Sequence, residues 1–434
     1  MTRAGFGHPR ALHRLTGGAT MESWRFEADG EPFVLRRAPS LAMMTDRPFG
    51  HATEAAIIRA ARAAGVTAPE IVIELEPQDG IGSGFVMRAL PGTPDPRAIL
   101  AMDDPGRLLG EAARDLARIH AIDRADLPSD IPAPNTREAI ADLRTQFEEA
   151  GGDRPIIALG LKWLEDNCPP DGPAVLNHGD FRLGNLLAED SQLTGVLDWE
   201  LAHYGDWHED LAFGCMTVWR FARIDRPALG LGMLEDYFSA YEAAGGRAVD
   251  RARFHYWLVH RTVWWALGCL KMARIWREGQ DRMLERVVIS RRTSEQELDL
   301  LMLLEEEAPE FERMQGAFAP VENDPPIGES SPGEIATAVL EWLETVKDRM
   351  EGHDRFQHAV ARNALGIVAR QEQRLNTASL MDPDIIPDLL SGRIGLADSG
   401  LLADLRRYAL DKVEVDSPKY PALSIAKRKW LGED

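Results

Sequence analysis

The sequence predicts an α+β protein in which a mostly antiparallel sheet is followed by two helical regions. Short apolar runs bounded by glycine or proline mark residues 1–91, a pattern typical of strands joined by turns. Longer stretches of strong helix formers follow at 92–317. A proline-rich acidic linker at 318–330 precedes residues 331–434, whose apolar positions recur at helical spacing. We therefore expect a sheet-containing region, a helical region and then a small all-α bundle.

The chemistry of the chain is concentrated in residues 177–200. An apolar strand leads there into a loop in which Asp180 and Asn185 stand five positions apart, and the pair Val196–Leu197 predicts a strand that ends at Asp198. Phosphoryl transfer needs one carboxylate facing the attacking hydroxyl, with a second carboxylate and an amide oxygen on the metal of a bound nucleotide. The spacing predicts Asp180, Asn185 and Asp198 as the catalytic residues of a phosphotransferase.

The predicted metal is Mg²⁺. This cation prefers hard oxygen ligands and keeps several waters, so Asn185, Asp198 and phosphate oxygens form a sufficient ligand set without a thiolate. Cys168, Cys215 and Cys269 are an odd, widely spaced set with no CxxC motif. They indicate reduced thiols rather than a disulfide framework.

The motif resembles the catalytic loop of the aminoglycoside phosphotransferase and choline kinase branch of the protein-kinase-like superfamily. That loop reads His-Gly-Asp with Asn five residues on, and Asp198 is followed by Trp199–Glu200 in the form common in this branch. The resemblance implies a kinase domain at 1–317, with a small lobe at 1–91, a large lobe at 92–317 and ATP as the donor. The Leu-Arg-Arg and Asp-Trp-Glu forms are similar to kinase domains fused to acyl-CoA dehydrogenases, which makes a hydroxyacyl compound the first acceptor to consider.

The resemblance also implies roles for one predicted strand and one predicted helix. Residues 33–37 look like the third strand of the kinase small lobe, where protein kinases place a Lys that holds the nucleotide phosphates. Strand alternation separates Arg36 from Arg37, and Arg36 stands at the matching position. A guanidinium stays charged and grips phosphate bidentately, although it is larger than an ammonium. Glu54, in the first turn of the predicted helix 53–65, either pairs with Arg36 or stabilises the helix dipole.

Two backbone segments are predicted to contact the nucleotide. Gly17 and Gly18 lie in a turn of small residues whose N–H groups suit phosphate, and a plain hairpin turn is the alternative. Residues 84–92 resemble the segment that joins the lobes and cradles adenine through the backbone from Met87 to Ala89. The alternative there is an ordinary edge strand.

Histidines and carboxylates cluster again between residues 203 and 210. Asp206 and Glu209 fit a helix start, as N-cap and capping-box residue. The resemblance also implies that Gly205–Asp206 braces the catalytic loop. A metal site would need more converging ligands than this segment offers, so we favour the structural interpretation.

The last region begins with a helix-start signature. Ser331, Pro332 and Glu334 suit the N-cap, the first helical position and a capping box. One apolar stripe then follows: Ile335, Val339, Trp342, Val346 and Met350. The region resembles an uncharacterised helical domain that accompanies bacterial kinases of this type. We expect it to serve assembly or regulation, with homo-oligomer contacts as the first candidate.

Bulk composition agrees with a cytoplasmic enzyme. The net charge of −21 argues against nonspecific nucleic-acid binding, which needs clustered Lys and Arg. ATP needs only local cations. The 44% of hydrophobic residues can supply a sizeable core, and no apolar run approaches membrane-spanning length. We expect neither a nucleic-acid nor a membrane partner.

These observations predict an ATP- and Mg²⁺-dependent enzyme that phosphorylates a hydroxyl of a small molecule. The alternative is a nucleotide-binding pseudokinase that regulates a partner through its C-terminal bundle, which applies if an arginine at position 36 prevents transfer. Aminoglycoside, choline-like and sugar acceptors remain open beside the hydroxyacyl compound.

Overall fold

A computed structural model describes residues 1–15, 21–39, 44, 47–317, 329–374 and 381–433. The chain divides into two compact units. The first comprises Met1–Thr136 and Pro169–Leu258, and the second comprises Arg137–Cys168 and Val259–Asp434. Gly17, Gly18 and most of the predicted linker lie outside the described residues.

The small-lobe sheet is antiparallel and runs in the order β1-β2-β3-β5-β4 within the described ranges. Its strands are β1 (Arg10–Arg14), β2 (Glu22–Ala28), β3 (Glu31–Ala38), β4 (Ile71–Glu74) and β5 (Ser83–Arg88), and helix α1 (His51–Ala63) connects β3 to β4. Phe26, Phe33 and Val86 form the core of this lobe. Because β5 lies between β3 and β4, the edge-strand alternative for residues 84–88 is wrong.

The remaining chain is mainly helical. Its elements, in chain order, are α2 (Pro96–Leu100), α3 (Pro105–His120), α4 (Thr136–Glu149), α5 (Pro155–Asp166), β6 (Val175–Asn177), β7 (Leu186–Glu189), β8 (Gln192–Val196), β9 (His203–Gly205), α6 (Trp207–Phe213), α7 (Leu234–Ala243), α8 (Arg251–Arg277), α9 (Leu284–Arg291), α10 (Thr293–Leu304), α11 (Glu310–Met314), α12 (Pro332–Val346), α13 (Gly352–Gln373), α14 (Ile386–Ser391), α15 (Leu401–Asp416) and α16 (Pro421–Leu431). The predicted fold class, an α+β protein with a sheet-containing lobe and helical regions, is confirmed. No helix in the described part of the chain is long and apolar enough to span a membrane.

Two short strand pairs position the catalytic loop. β6 pairs antiparallel with β9, and β7 pairs antiparallel with β8. The loop leaves the end of β6 at Asn177 and returns to β7 through a 3-10 turn at Leu183–Asn185. Asp198 follows β8 by two residues, as the Val196–Leu197 strand predicted.

Helix α10 is the centre of the second unit. It packs against α15, α5 and α16, and almost all of its residues are buried. The helices after residue 331 therefore contact a helix that precedes the predicted linker. The domain boundary at 318–330 stays a prediction, whereas the compact unit contains residues on both sides of it.

Helix α12 begins as its sequence predicted. The Ser331 hydroxyl accepts a hydrogen bond from the Glu334 backbone N–H at 3.2 Å, and the Glu334 carboxylate accepts one from the Ser331 N–H at 2.8 Å. This reciprocal capping box satisfies two donors that would otherwise lack helical partners.

Most of the apolar stripe of α12 faces solvent, although such a stripe normally marks the packed face of a helix. Val346 is buried, but Ile335, Val339 and Trp342 face solvent, and Trp342 is 61% exposed. The packed face instead carries small residues, since a Cβ at Gly333 would lie 2.8 Å from the Glu372 Cβ. Close approach to α13 thus selects the face with the smallest side chains.

Candidate active site

The backbone of the catalytic loop is held by Asp210 on α6. Its carboxylate accepts the N–H of His178 at 2.5 Å and the N–H of Gly179 at 2.8 Å. Gly179 has a φ of +83°, and a Cβ there would lie 2.2 Å from the Leu201 carbonyl oxygen. Only glycine fits this position, because it combines a left-handed backbone with a close contact.

Asp210 itself is buried and held by His120 of α3, whose Nε2 lies 3.3 Å away. Burial alone would raise the pKa of Asp210, but the hydrogen bonds from His120 and His178 hold it below its ordinary value. The carboxylate therefore stays charged beneath the loop. From the sequence this brace was expected at Gly205–Asp206, and the Asp206 carbonyl does accept the Asn177 Nδ2–H at 3.0 Å at the start of the loop. The Asp206 carboxylate caps α6 by accepting the His208 N–H at 3.0 Å, so the N–H groups of the loop itself are held by Asp210.

Asp180 is positioned by two neighbours in the loop. The Nε of Arg182 donates to its Oδ1 at 2.7 Å, and the Nδ2 of Asn185 donates to its Oδ2 at 2.6 Å. Arg182 is supported in turn by the ring of Trp219, whose centroid lies 4.3 Å from the guanidinium carbon. Burial raises the pKa of Asp180 to about 6, and the nearby charge of Asp198 acts in the same direction while Arg182 opposes it.

Asp198 lies at a strained backbone position. Its φ is +69°, which non-glycine residues rarely adopt. Strain of this kind persists only where surrounding contacts fix it, and it clusters at functional sites. Here the Nη2 of Arg36 lies 2.8 Å from the Asp198 Oδ1.

Arg36 links the small lobe to this loop and is surrounded by carboxylates. Its Nε lies 3.0 Å from the Glu54 Oε1, and its Nη2 lies 2.5 Å from the Glu200 Oε2. The ion pair with Glu54 that the sequence left open is present. Burial would lower the pKa of Arg36, but the charges of Glu54, Asp198 and Glu200 raise it above its ordinary value. Arg36 is therefore cationic at any relevant pH.

Among the described residues around Arg36, carboxyl groups outnumber cations. Arg47 is a second cation there, 2.9 Å from Glu200, against the carboxylates of Glu54, Asp198 and Glu200. Burial, together with Asp198 and Glu200, raises the pKa of Glu54 to about 7 despite the adjacent Arg36. A bound cation at Asp198 would relieve this excess.

The donor chemistry at this site fits Mg²⁺ with a nucleotide. Asp198 offers a carboxylate, and Asn185 turns its Nδ2 toward Asp180, which leaves its amide oxygen as a ligand atom. Within the described ranges, no group of three or more His, Cys, Asp or Glu residues could hold a metal by itself. Two protein oxygens suit Mg²⁺ when phosphates and waters complete the shell.

The structure also places the predicted adenine segment. The N–H of Ala89 donates to the Pro32 carbonyl at 3.0 Å and that of Arg88 to the Glu70 carbonyl at 2.9 Å, and Met87 pairs with Val34 in the sheet. The Ala89 N–H is thus engaged within the lobe, so an adenine contact at Ala89 would use its carbonyl group. The phosphate contacts predicted for Gly17 and Gly18 lie outside the described residues.

The histidine and carboxylate cluster after Asp198 is structural. The Nδ1 of His208 lies 2.6 Å from Asp206, which also contacts Arg253, and the Nε2 of His203 lies 3.1 Å from Glu209. Each imidazole thus has a carboxylate partner within this segment.

The sequence reasoning missed four residues of the site. Arg182, Glu200 and Arg47 contact catalytic or phosphate-binding candidates, and Asp210 holds the loop. Arg182 follows Asp180 by two positions, and Asp210 lies one helical turn beyond the cap Asp206, so spacing offered a signal for both. Arg47 and Glu200 are distant in the sequence, and only the fold brings them together.

Comparison with known proteins identifies the family. The model of the phosphotransferase enzyme family matches residues 11–252, more than half of the 434 residues. The chain belongs to this family. It is thus a phosphotransferase, and the loop around Asp180 lies inside the matched region.

Curated relatives share part of this chain. It is 28% identical over 254 residues to acyl-CoA dehydrogenase family member 10 of Mus musculus, covering 54% of this chain and 24% of that protein. It is 27% identical over 244 residues to acyl-CoA dehydrogenase family member 11 of Gallus gallus, covering 54% of this chain and 31% of that protein. The match therefore spans less than a third of either relative.

Solved structures confirm the predicted two-lobed protein-kinase-like fold. A protein from Ralstonia eutropha JMP134, solved as a candidate aminoglycoside phosphotransferase, has a TM-score of 0.56 at 20% identity over 70% of this chain and 94% of its own. A thermostable mutant of aminoglycoside phosphotransferase APH(4)-Ia, in ternary complex with ADP and hygromycin B, has a TM-score of 0.50 at 19% identity over 70% of this chain and 97% of its own.

Proposed function

We propose that this protein transfers the γ-phosphoryl group of ATP, with Mg²⁺, to a hydroxyl of a small molecule. The observation that supports this most strongly is the arrangement of Asp180, Asn185 and Asp198 on one braced loop and the strand beside it. These residues supply a base and two metal-ligand oxygens, the set that phosphoryl transfer needs.

Asp180 acts on the acceptor in this proposal. Its carboxylate is oriented by Arg182 and Asn185, and it accepts the proton of the attacking hydroxyl. Its pKa of about 6 suits a base near neutral pH. Loss of the Arg182 contact would free the carboxylate to rotate away from the hydroxyl.

Asn185 and Asp198 would hold Mg²⁺, and Arg36, oriented by Glu54, would contact the phosphates. When bound, Mg²⁺ and ATP supply the transferable phosphoryl group and neutralise its charge. The Arg36 guanidinium has five donors, so contact with Asp198 and Glu54 leaves N–H groups for a phosphate oxygen. An arginine at this position is therefore compatible with nucleotide binding.

The first acceptor class we propose is a hydroxyacyl compound. Its support is the similarity to the acyl-CoA dehydrogenase family members. Aminoglycosides come second, because one structural neighbour binds hygromycin B.

An acceptor panel tests the function. The full chain is incubated with ATP and Mg²⁺ and with hydroxyacyl thioesters, aminoglycosides, choline or sugars, and a phosphate ester is detected by ³¹P NMR. Each hydroxyacyl compound is paired with the acyl compound that lacks the hydroxyl. We expect a phosphate ester only with the hydroxylated member of the pair.

The same panel separates transfer from a pseudokinase. The contact of Arg36 with Asp198 favours that alternative, since it places a cation on the proposed metal ligand. A protein that binds Mg²⁺ and ATP but yields no phosphate ester with any acceptor, and hydrolyses ATP no faster than Asp180→Asn, would contradict the proposed transfer.

A further inference from the structure

A cavity of about 390 Å³ lies behind the catalytic loop in the first unit. It is lined by parts of α3, β6, β9 and α7 and by the glycine turn that follows α7. Its volume is within the range of small-molecule sites. None of the proposed catalytic residues lines it.

The lining of this rear cavity carries two cations and one carboxylate, that of Asp123. Arg124 and Arg247 both line it, and both are exposed. In the described part of the chain their guanidinium groups contact aromatic rings, Tyr204 at 4.4 Å and Trp207 at 5.2 Å to the ring centroids, and no carboxylate lies within salt-bridge distance of either. Guanidinium groups in this state are suited to carboxylate or phosphate oxygens.

The interior of the rear cavity carries an unsatisfied polar group. Tyr204 is 3% exposed, and its hydroxyl has no hydrogen-bond partner among the described residues. Buried hydroxyls are normally satisfied, so one at a cavity wall indicates a missing partner. The rest of the lining includes apolar groups of Ala117, Ile122 and Val175. The cavity therefore suits a molecule with an apolar body and an oxyanion head.

A chain of hydrogen bonds runs from this cavity to the catalytic loop. The Tyr241 hydroxyl lies 2.7 Å from the Nδ1 of His120, both residues line the cavity, and the Nε2 of His120 contacts Asp210. Since Asp210 accepts the N–H groups of His178 and Gly179, a ligand against Tyr241 would stiffen the backbone that carries Asp180.

We propose that the rear cavity binds a small organic oxyanion, a carboxylate or phosphate monoester, that pairs with Arg124 and Arg247 and stabilises the catalytic loop. The site is separate from the proposed nucleotide and metal residues, so it does not depend on the proposed function. The two arginines select the head group of the ligand, and the apolar wall selects its body.

Four probes measure binding by titration calorimetry: phenyl phosphate, benzoate, neutral benzamide and inorganic phosphate. We expect phenyl phosphate or benzoate to bind, and the tighter one identifies the head group. Benzamide lacks the charged head group and inorganic phosphate lacks the apolar body, so each should bind at least about tenfold more weakly. Equal affinity of benzamide and benzoate, with no binding of phenyl phosphate, would overturn the proposal.

Variants assign the binding to the cavity. Arg124→Gln combined with Arg247→Gln should weaken the better probe at least about tenfold, whereas Arg428→Gln, at an exposed arginine of α16, should not. Ala174→Phe adds a ring to the cavity lining while leaving both arginines unchanged, and it should weaken binding as well. Unchanged affinity in both cavity variants would overturn the site.

Hydrogen–deuterium exchange tests the link to the loop. In the wild type, the peptide that contains His178 and Gly179 should exchange more slowly when the probe is bound, because its N–H groups contact Asp210. The double arginine variant should show no such protection at the same probe concentration. Exchange that does not change on binding to the wild type would overturn the link.

Discussion

The catalytic loop and helix α10 both bury charged side chains, but they balance that charge differently. Near the loop, Arg36 and Arg47 meet three carboxylates, those of Glu54, Asp198 and Glu200. Among the described residues the carboxyl groups there outnumber the cations, and they lie where a ligand is proposed to enter.

In α10 and the 3-10 turn that follows it, the carboxylates have partners inside the second unit. Glu305 lies 2.6 Å from Arg406 and 2.5 Å from Lys429, and it accepts the Trp430 indole N–H at 2.9 Å. Glu297 lies 3.7 Å from Arg154, and Tyr420 donates to Asp299.

The protein therefore contains two kinds of buried charge. A network whose charges are matched holds the fold together, since each partner offsets the desolvation of the other. A network with surplus charge of one sign is incomplete without a ligand. The buried carboxylates of α10 are therefore structural, and those around Asp198 are candidates for cation binding.

The largest effect expected is on stability in the second unit. Arg406→Met leaves the Glu305 carboxylate buried with Lys429 as its remaining cation, and we expect a loss of about 3 kcal/mol in the free energy of unfolding. Urea titration measures it. Combining Arg406→Met with Glu305→Gln, which keeps an acceptor for Trp430, should recover most of the loss. An Arg406→Met variant as stable as the wild type would show that the Arg406–Glu305 pair does not stabilise the fold.

The next effect is on catalysis at the loop. Asp180→Asn removes the proposed base but keeps the shape of the side chain, so transfer should slow by about a hundredfold or more. The affinity for Mg²⁺ and ATP should stay nearly the same. Asp190→Asn makes the same chemical change at an exposed turn and should leave the rate unchanged. Equal turnover in wild type and Asp180→Asn would remove Asp180 from the mechanism.

A smaller effect reports the burial of His51 beside Arg36 and Arg47. Burial and these two cations lower the pKa of His51 from 6.5 to about 4. The unfolded chain therefore binds the proton more readily between these values, and folded stability falls as pH falls through that window. Between pH 7.5 and 5.5, His51 should cost about 1.4 kcal/mol of stability.

Denaturant titrations at the two pH values test the His51 prediction. The variant His51→Gln lacks the titrating group, so its stability should depend less on pH by that amount. The same pH slope in the variant and in the wild type would show that burial and the two arginines do not lower the pKa of His51.

Local signals in the sequence were enough to predict which candidate residues lie close together. The spacing of Asp180, Asn185 and Asp198 lies within one segment, and strand alternation picked out Arg36 before its contact with Glu54 was visible. The Ser331 capping box could likewise be predicted because it is formed by residues three positions apart.

Contacts between distant parts of the chain could not be predicted in this way. Arg36 meets Asp198 across 162 positions, and Arg406 meets Glu305 across 101. The periodicity of α12 predicted an apolar stripe but not which face packs, because the small residues beside it allow a closer approach. The contribution of Asp210 was missed for a related reason: the sequence gives three acidic positions at the start of α6, and only the fold shows that the Asp210 carboxylate reaches the loop.

The most direct test of the central claim is whether Mg²⁺ and ATP together stabilise the protein through Asp198. Thermal unfolding is measured for wild type, Asp180→Asn and Asp198→Asn, with ATP and either Mg²⁺ or EDTA. At a ligand concentration one hundred times the dissociation constant, wild type and Asp180→Asn should gain about 2.7 kcal/mol with Mg²⁺. Asp198→Asn should lose most of that metal-dependent gain. A wild type that shows no Mg²⁺-dependent stabilisation at millimolar ATP would contradict the account.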